Sequence, residues 1–205
     1  HFFVRPADNV GAKEDATALF MSASPRAAAD GLGLDKQLHV TFDTDLVLDV
    51  KSFKDYTSNA KFVAEGTHAV AQGSDRDGRN TSLVKLDFNG SVIAKVDNQS
   101  TRTGLRLNDA SYGLHFIDSD GGTLQATFHD AVHVTSTSSL ARRTMGIDFQ
   151  SERASKGERE SRLAFDANAT FIAESAGGYS EGGRFYVTGW GADVDPVWSA
   201  TDTEK

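Results

Sequence analysis

The segment TFHDAVHV, residues 127–134, places His129 and His133 four apart, with Asp130 between them. On a helix that spacing brings two imidazoles onto one face, where they can hold one metal ion or approach a haem iron. On a strand the same four residues span about 13 Å, so the rings share a face without meeting at one ion. Both histidines have the parity opposite Phe128, Val132 and Val134, which directs them outward from a half-buried strand. His39 and His115 stand in comparable outward positions, and clustering across neighbouring strands would be the way to build a site from them. The Asp-rich stretches DRDGRN (75–80) and DSDGG (118–122) offer carboxylates to calcium but lack a distal bidentate Glu, and hydrophilic turns account for both.

Catalytic signals are few. The chain has no G-x-S-x-G elbow, H-E-x-x-H pair, P-loop or dinucleotide fingerprint. With no cysteine, thiol catalysis and zinc–thiolate sites are excluded. Asp148 and Glu174 are candidate buried acids, whereas Glu152, Glu158 and Glu160 sit among Arg and Lys in a loop-like run. No catalytic residue is assigned. The stretch GGRFYVTGWGADVDPVW (182–198) carries Tyr186, Trp190 and Trp198, an aromatic set able to close a core or to form a platform for a flat ligand.

The elements that must position these groups show one recurrence. HVTFDTDLVLD (39–49), KLDFNGSVIAK (85–95), QATFHDAVHVT (125–135) and RLAFDANATFI (162–172) align on Phe42, Phe88, Phe128 and Phe165. Apolar residues keep one parity before and after each Phe, the two-residue period of a half-buried strand. Small or polar residues two positions after it (Thr44, Gly90, Asp130, Ala167) mark a bend or bulge. A second strand fits between each pair, within 59–72, 103–118, 144–150 and 183–190. Four loose matches do not make a solenoid. The expected fold is all-β, an antiparallel β-sandwich or β-barrel of roughly eight to ten long strands. A short irregular or helical segment is expected at the N-terminus, over 12–31, divided by Pro25. Residues 1–34 read as an N-terminal appendage, 35–198 as the β domain and 199–205 as a C-terminal tail.

A net charge of −8 argues against nucleic acid and against anionic membrane surfaces. No apolar run reaches transmembrane length. A chain of 205 residues that begins at His1 without a methionine reads as processed, and the absence of cysteine leans towards a bacterial or viral source. The segment NATFIAESAGGYSEGGRF (168–185) resembles the end of the C-terminal barrel in the transferrin-binding protein B and hemophilin group, through Phe171, Glu181-Gly182-Gly183 and Phe185. That resemblance implies an eight-stranded barrel on a bacterial surface or secreted protein that binds a host protein or haem, with His129 or His133 meeting the iron. The expectation is therefore a non-enzymatic, secreted or cell-surface binding protein, its ligand haem, a glycan or a host protein. Two alternatives stand beside it: a subunit of an extracellular fibre, pilus, matrix or phage tail that self-assembles by strand exchange, and a β-sandwich glycan-active enzyme.

Overall fold

The computed structural model describes residues 2–4, 16–23, 36–52, 55–56, 63–72, 82–99, 101–102, 110–119, 122–139, 143–152, 161–176 and 179–188. In chain order the strands are β1 (Phe2–Val4), β2 (Ala16–Ala23), β3 (Lys36–Phe42), β4 (Leu46–Ser52), β5 (Asp55–Tyr56), β6 (Val63–Gln72), β7 (Ser82–Phe88) and β8 (Val92–Asn98). They continue as β9 (Thr101–Arg102), β10 (Ala110–Ser119), β11 (Thr123–Phe128), β12 (Val132–Ser138), β13 (Arg143–Glu152), β14 (Arg162–Phe165), β15 (Ala169–Ser175) and β16 (Tyr179–Thr188).

Their pairing corrects the expected sandwich or barrel. Every ladder among the described residues is parallel, and successive coils of chain lay one strand on each of three sheets. The first sheet runs β1-β4-β8-β12-β15, the second β16-β13-β10-β6-β2 and the third β14-β11-β7-β3, with β5 and β9 forming a small fourth pair. This is the pattern of a parallel β-solenoid. Side-chain parity reports which face of a strand is buried and is blind to the direction of its neighbour, so it could not separate this fold from an antiparallel one. The barrel implied by the transferrin-binding protein B resemblance is overturned with it. The helical expectation for the N-terminal segment is also corrected, because Ala16–Ala23 is the strand that pairs with β6. Its alanines favour a helix only weakly, and a partner strand outweighs that preference.

The recurrent Phe segments are the coils themselves. Phe42, Phe88, Phe128 and Phe165 are register partners along the third sheet. Their rings stack inside the coil with centroids 4.9, 4.6 and 4.9 Å apart, inclined by only 2°, 2° and 7°. That spacing is the distance between neighbouring strands, so a parallel in-register sheet stacks identical side chains automatically. The rows on either side behave alike: Val40, Leu86, Ala126 and Leu163 form one, and Leu48, Ala94, Val134 and Phe171 another. All of these pack into a single apolar interior.

The polar residues after each Phe form the corner between the third and first sheets. The N–H groups of Asn89, His129 and Asp166 donate to the carbonyls of Phe42, Phe88 and Phe128 at 2.8–2.9 Å, carrying the ladder round the turn. Side chains follow the same stacking, with Asn89 donating to Asp43 at 3.0 Å and Ser91 to Asp130 at 3.1 Å.

Phe88 is 1% exposed and has a ring on each side, whereas Phe42 ends the stack and is only partly buried. Phe88→Ala should therefore lower the unfolding free energy by about 3–5 kcal/mol in urea titrations, and Phe42→Ala by clearly less. Equal losses at the two positions would contradict the stack.

Candidate functional site

A row of chemistry-bearing side chains crosses the second sheet. Phe20, His68, His115, Asp148 and Arg184 are successive register partners on β2, β6, β10, β13 and β16. Beside them runs a second row, Thr17, Glu65, Tyr112, Met145 and Glu181. On each strand the two rows are three residues apart. Along a straight strand such residues point to opposite faces and cannot touch.

Here they touch because the strands bend between them. On β6, Ala64 packs inward against Val50 and Val96, and after the bend Ala69 and Ala71 pack inward, so the inward parity changes. The change occurs at glycine on β6, β10 and β13, and Gly182 stands at the same level on β16. A Cβ on Gly66 would lie 2.4 Å from the carbonyl oxygen of Gly113, and one on Gly113 would lie 2.4 Å from that of Gly146 and 2.0 Å from Val134. A Cβ on Gly146 would meet the Gly182 oxygen at 2.5 Å and Phe171 Cβ at 2.8 Å. The row of glycines thus excludes any side chain, because a Cβ would strike the next strand's carbonyl oxygen and, at Gly113 and Gly146, the side chains of the first sheet. It also turns residues at i and i+3 onto one outer surface.

The products of the bend are short contacts between residues that sequence spacing holds apart. Glu65, only 2% exposed, accepts from His68 Nδ1 at 2.8 Å through Oε2 and from His115 Nδ1 at 2.6 Å through Oε1. Thr17 Oγ1 donates to the same Oε2 at 2.9 Å. The Tyr112 ring stacks on His115 at 4.3 Å, and Phe20 meets His68 edge-on at 5.4 Å. Asp148, wholly buried, is held by Arg184 through Nε at 2.9 Å and Nη2 at 2.6 Å, and by Gln150 at 2.8 Å. Its Oδ2 lies 3.7 Å from His115 Nε2, beyond a hydrogen bond. Nε2 of His68 and Nε2 of His115 are both buried without a partner.

The electrostatics follow from that packing. Burial pushes the Glu65 carboxyl up, but hydrogen bonds from His115 and His68, together with the charge on the two rings, outweigh it and hold the group at about 2. The hydrogen bond to Asp148 raises Arg184 and keeps it charged. Burial, then the Asp148 charge, raises the Tyr112 hydroxyl. The arrangement can hold a cation, donate or accept protons at two imidazoles, or hydrogen-bond a polar ligand.

The residues singled out from sequence fall mostly elsewhere. His129 lies on an exposed corner, its Nδ1 2.7 Å from Asp166 Oδ2. His133 is exposed on β12, in register with Ile93 and Thr170, so the corner lies between the two histidines. His39 is likewise exposed, on β3. Tyr186 belongs to β16 opposite Gln150, while Trp190, Trp198 and the DRDGRN turn lie outside the described residues. Asp148 is the buried acid; Glu174 is exposed. His115 does join a cluster across strands, with His68 and Glu65, which the sequence reading had not singled out. A signal for them existed: Glu65-Gly-Thr-His68, Tyr112-Gly-Leu-His115, Met145-Gly-Ile-Asp148 and Glu181-Gly-Gly-Arg184 repeat glycine two residues before the functional side chain.

Glu65 takes up its proton near 4.5 when unfolded and near 2 when folded, so between those values the unfolded chain binds more protons and stability is lost as the pH is lowered. Glu65→Gln should remove that part of the acid sensitivity, visible as a flatter dependence of the urea midpoint from about pH 5 to about pH 2.5. Parallel curves for the two proteins would exclude Glu65 as the group responsible. In comparisons with known proteins, no family model, no curated protein and no solved structure matches the chain.

Proposed function

We propose that the protein is a secreted or cell-surface binding protein whose working surface is the bent outer face of the second sheet, and that its ligand is an extended glycan. The observation that carries this reading is the polar network itself. Donors and acceptors from five adjacent strands are gathered outside the apolar interior, and two buried imidazole nitrogens are left without partners. Buried polar atoms are nearly always satisfied, so unspent ones in an ordered network favour a bound ligand over a purely structural role.

The shape of the surface supports a linear ligand. Each strand adds one residue to a row about every 4.8 Å, so the row spans about 19 Å perpendicular to the strands, with Phe20, His68 and Arg184 open to solvent along it and His115 and Asp148 buried between them. Phe20, 62% exposed, stands at one end of the first row, and the partly exposed Arg184 at the other. An aromatic face with hydrogen-bonding neighbours suits a sugar ring, and an arginine suits an acidic sugar. The net charge of −8 makes nucleic acid a poor alternative for such a row. No helix among the described residues is long and apolar enough to cross a membrane.

One contact favours a second reading. The grip of Glu65 on His115 Nδ1 is also how a carboxylate orients a general base. Turnover and binding can be told apart in one assay.

Neutral and uronate-containing polysaccharides, titrated calorimetrically, should include one that binds. Phe20→Ala and Arg184→Ala should each weaken it about tenfold, about 1.4 kcal/mol. Chain cleavage in the same incubations would replace binding by acid–base chemistry. Absence of binding across the panel, or affinities indifferent to both substitutions, would refute the glycan reading.

A further inference from the structure

We propose that Glu65, His68 and His115 form a binding site for one divalent first-row transition-metal ion. The inference does not require a glycan ligand, although both readings draw on His68 and His115, and metal titration alone tests it. One ligand atom from each residue lies within 4.8 Å of the other two. The strand bend at Gly66 brings Glu65 and His68 together, and the parallel register of β6 with β10 places His115 beside His68.

The donor set selects the class of ion. Two imidazoles and a carboxylate suit zinc, nickel, copper or iron, whereas calcium and magnesium require oxygen ligands. Both Nδ1 atoms already face the one carboxylate, at 2.8 and 2.6 Å. An ion with arms of about 2.1 Å wants its donors about 3.4 Å apart, a spacing between the 2.6 and 2.8 Å of the nitrogen–oxygen pairs and the 4.8 Å that bounds the set, so small side-chain shifts admit it. Each ring proton then resides on Nε2, leaving the Nδ1 lone pair for the metal.

The surroundings of His115 fit that tautomer. Its Nε2 is buried, has no hydrogen-bond partner and sits 3.7 Å from Asp148 Oδ2. Metal-bound histidines characteristically donate the remote N–H to a carboxylate, and a small approach completes that bond here. Asp148 is fixed for the role by Arg184 and Gln150. Thr17 braces Glu65, while Tyr112 and Phe20 contribute ring contacts to the two imidazoles. Glu65 and His115 are nearly closed to solvent, but the His68 side chain remains 23% exposed, giving an entry side and room for a further ligand such as water.

The test is direct metal binding. Chelator-treated protein is titrated with Zn²⁺ alone by calorimetry and with Co²⁺ alone by visible absorption, with Mg²⁺ and Ca²⁺ as controls. We expect one equivalent of Zn²⁺ and of Co²⁺, d–d bands of a low-coordinate Co²⁺ site, and no response to the controls. His68→Ala, at a partly exposed position, should keep the circular dichroism spectrum and weaken binding at least 100-fold. Asp148→Asn should weaken it about 10- to 100-fold. His39→Ala and His133→Ala should change nothing. Absence of saturable Zn²⁺ binding by the folded protein would overturn the site, as would affinity unchanged in His68→Ala or abolished in His39→Ala or His133→Ala.

Discussion

Parallel, in-register stacking governs this molecule. Each strand lies on its counterpart one coil earlier, so a side chain inside a sheet has a neighbour at about 4.8 Å above and below. For apolar side chains this is purely favourable, and the Phe42–Phe88–Phe128–Phe165 column shows the result. For charged side chains the same geometry is hazardous, because like charges in one row would repel. The chain meets this by alternation. Asp49 stands opposite Lys95, and Lys51 opposite Asp97, on the outer face of the first sheet. On the second sheet, Glu65 takes two histidines and Asp148 takes an arginine.

A second constraint acts within the first. Gly66, Gly113, Gly146 and Gly182 occupy the same level of successive coils, where the second sheet runs against the first. Removing a side chain from four members of one row allows the strands to bend, and the bend places Glu65 against His68 and Tyr112 against His115. Stability and site therefore have different origins. The interior is held by stacked aliphatic and aromatic side chains, while the site exists because four glycines contribute none.

Much of the coil was legible in the sequence. The alignment on Phe42, Phe88, Phe128 and Phe165 coincides with the observed ladder register, and the intervening segments proposed as strands overlap β6, β10, β13 and β16, the first containing its strand whole. What parity could not convey was direction: a strand with one buried face reads the same whichever way its partner runs. Four loose matches, 37 to 46 residues apart, also share only what any long amphipathic strand shares. The site was harder to read, because a three-residue separation such as Glu65 to His68 means opposite faces until the glycine bend is known. His129 and His133 drew attention by helical spacing in a chain whose local structure is a corner followed by a strand.

The relation of β6 to β10 carries the account, since their parallel register puts His68 beside His115. The chain contains no cysteine, which makes a cross-link across that register unambiguous. Val70 and Ile117 are direct partners two residues beyond the histidines, both part-exposed. Parallel neighbours at about 5 Å lie within reach of a disulfide. The Val70→Cys/Ile117→Cys double variant should oxidise to an intramolecular disulfide, seen by mass spectrometry, with its β-sheet circular dichroism unchanged. A folded double variant whose two thiols stay free under oxidant would contradict the register, and with it the site.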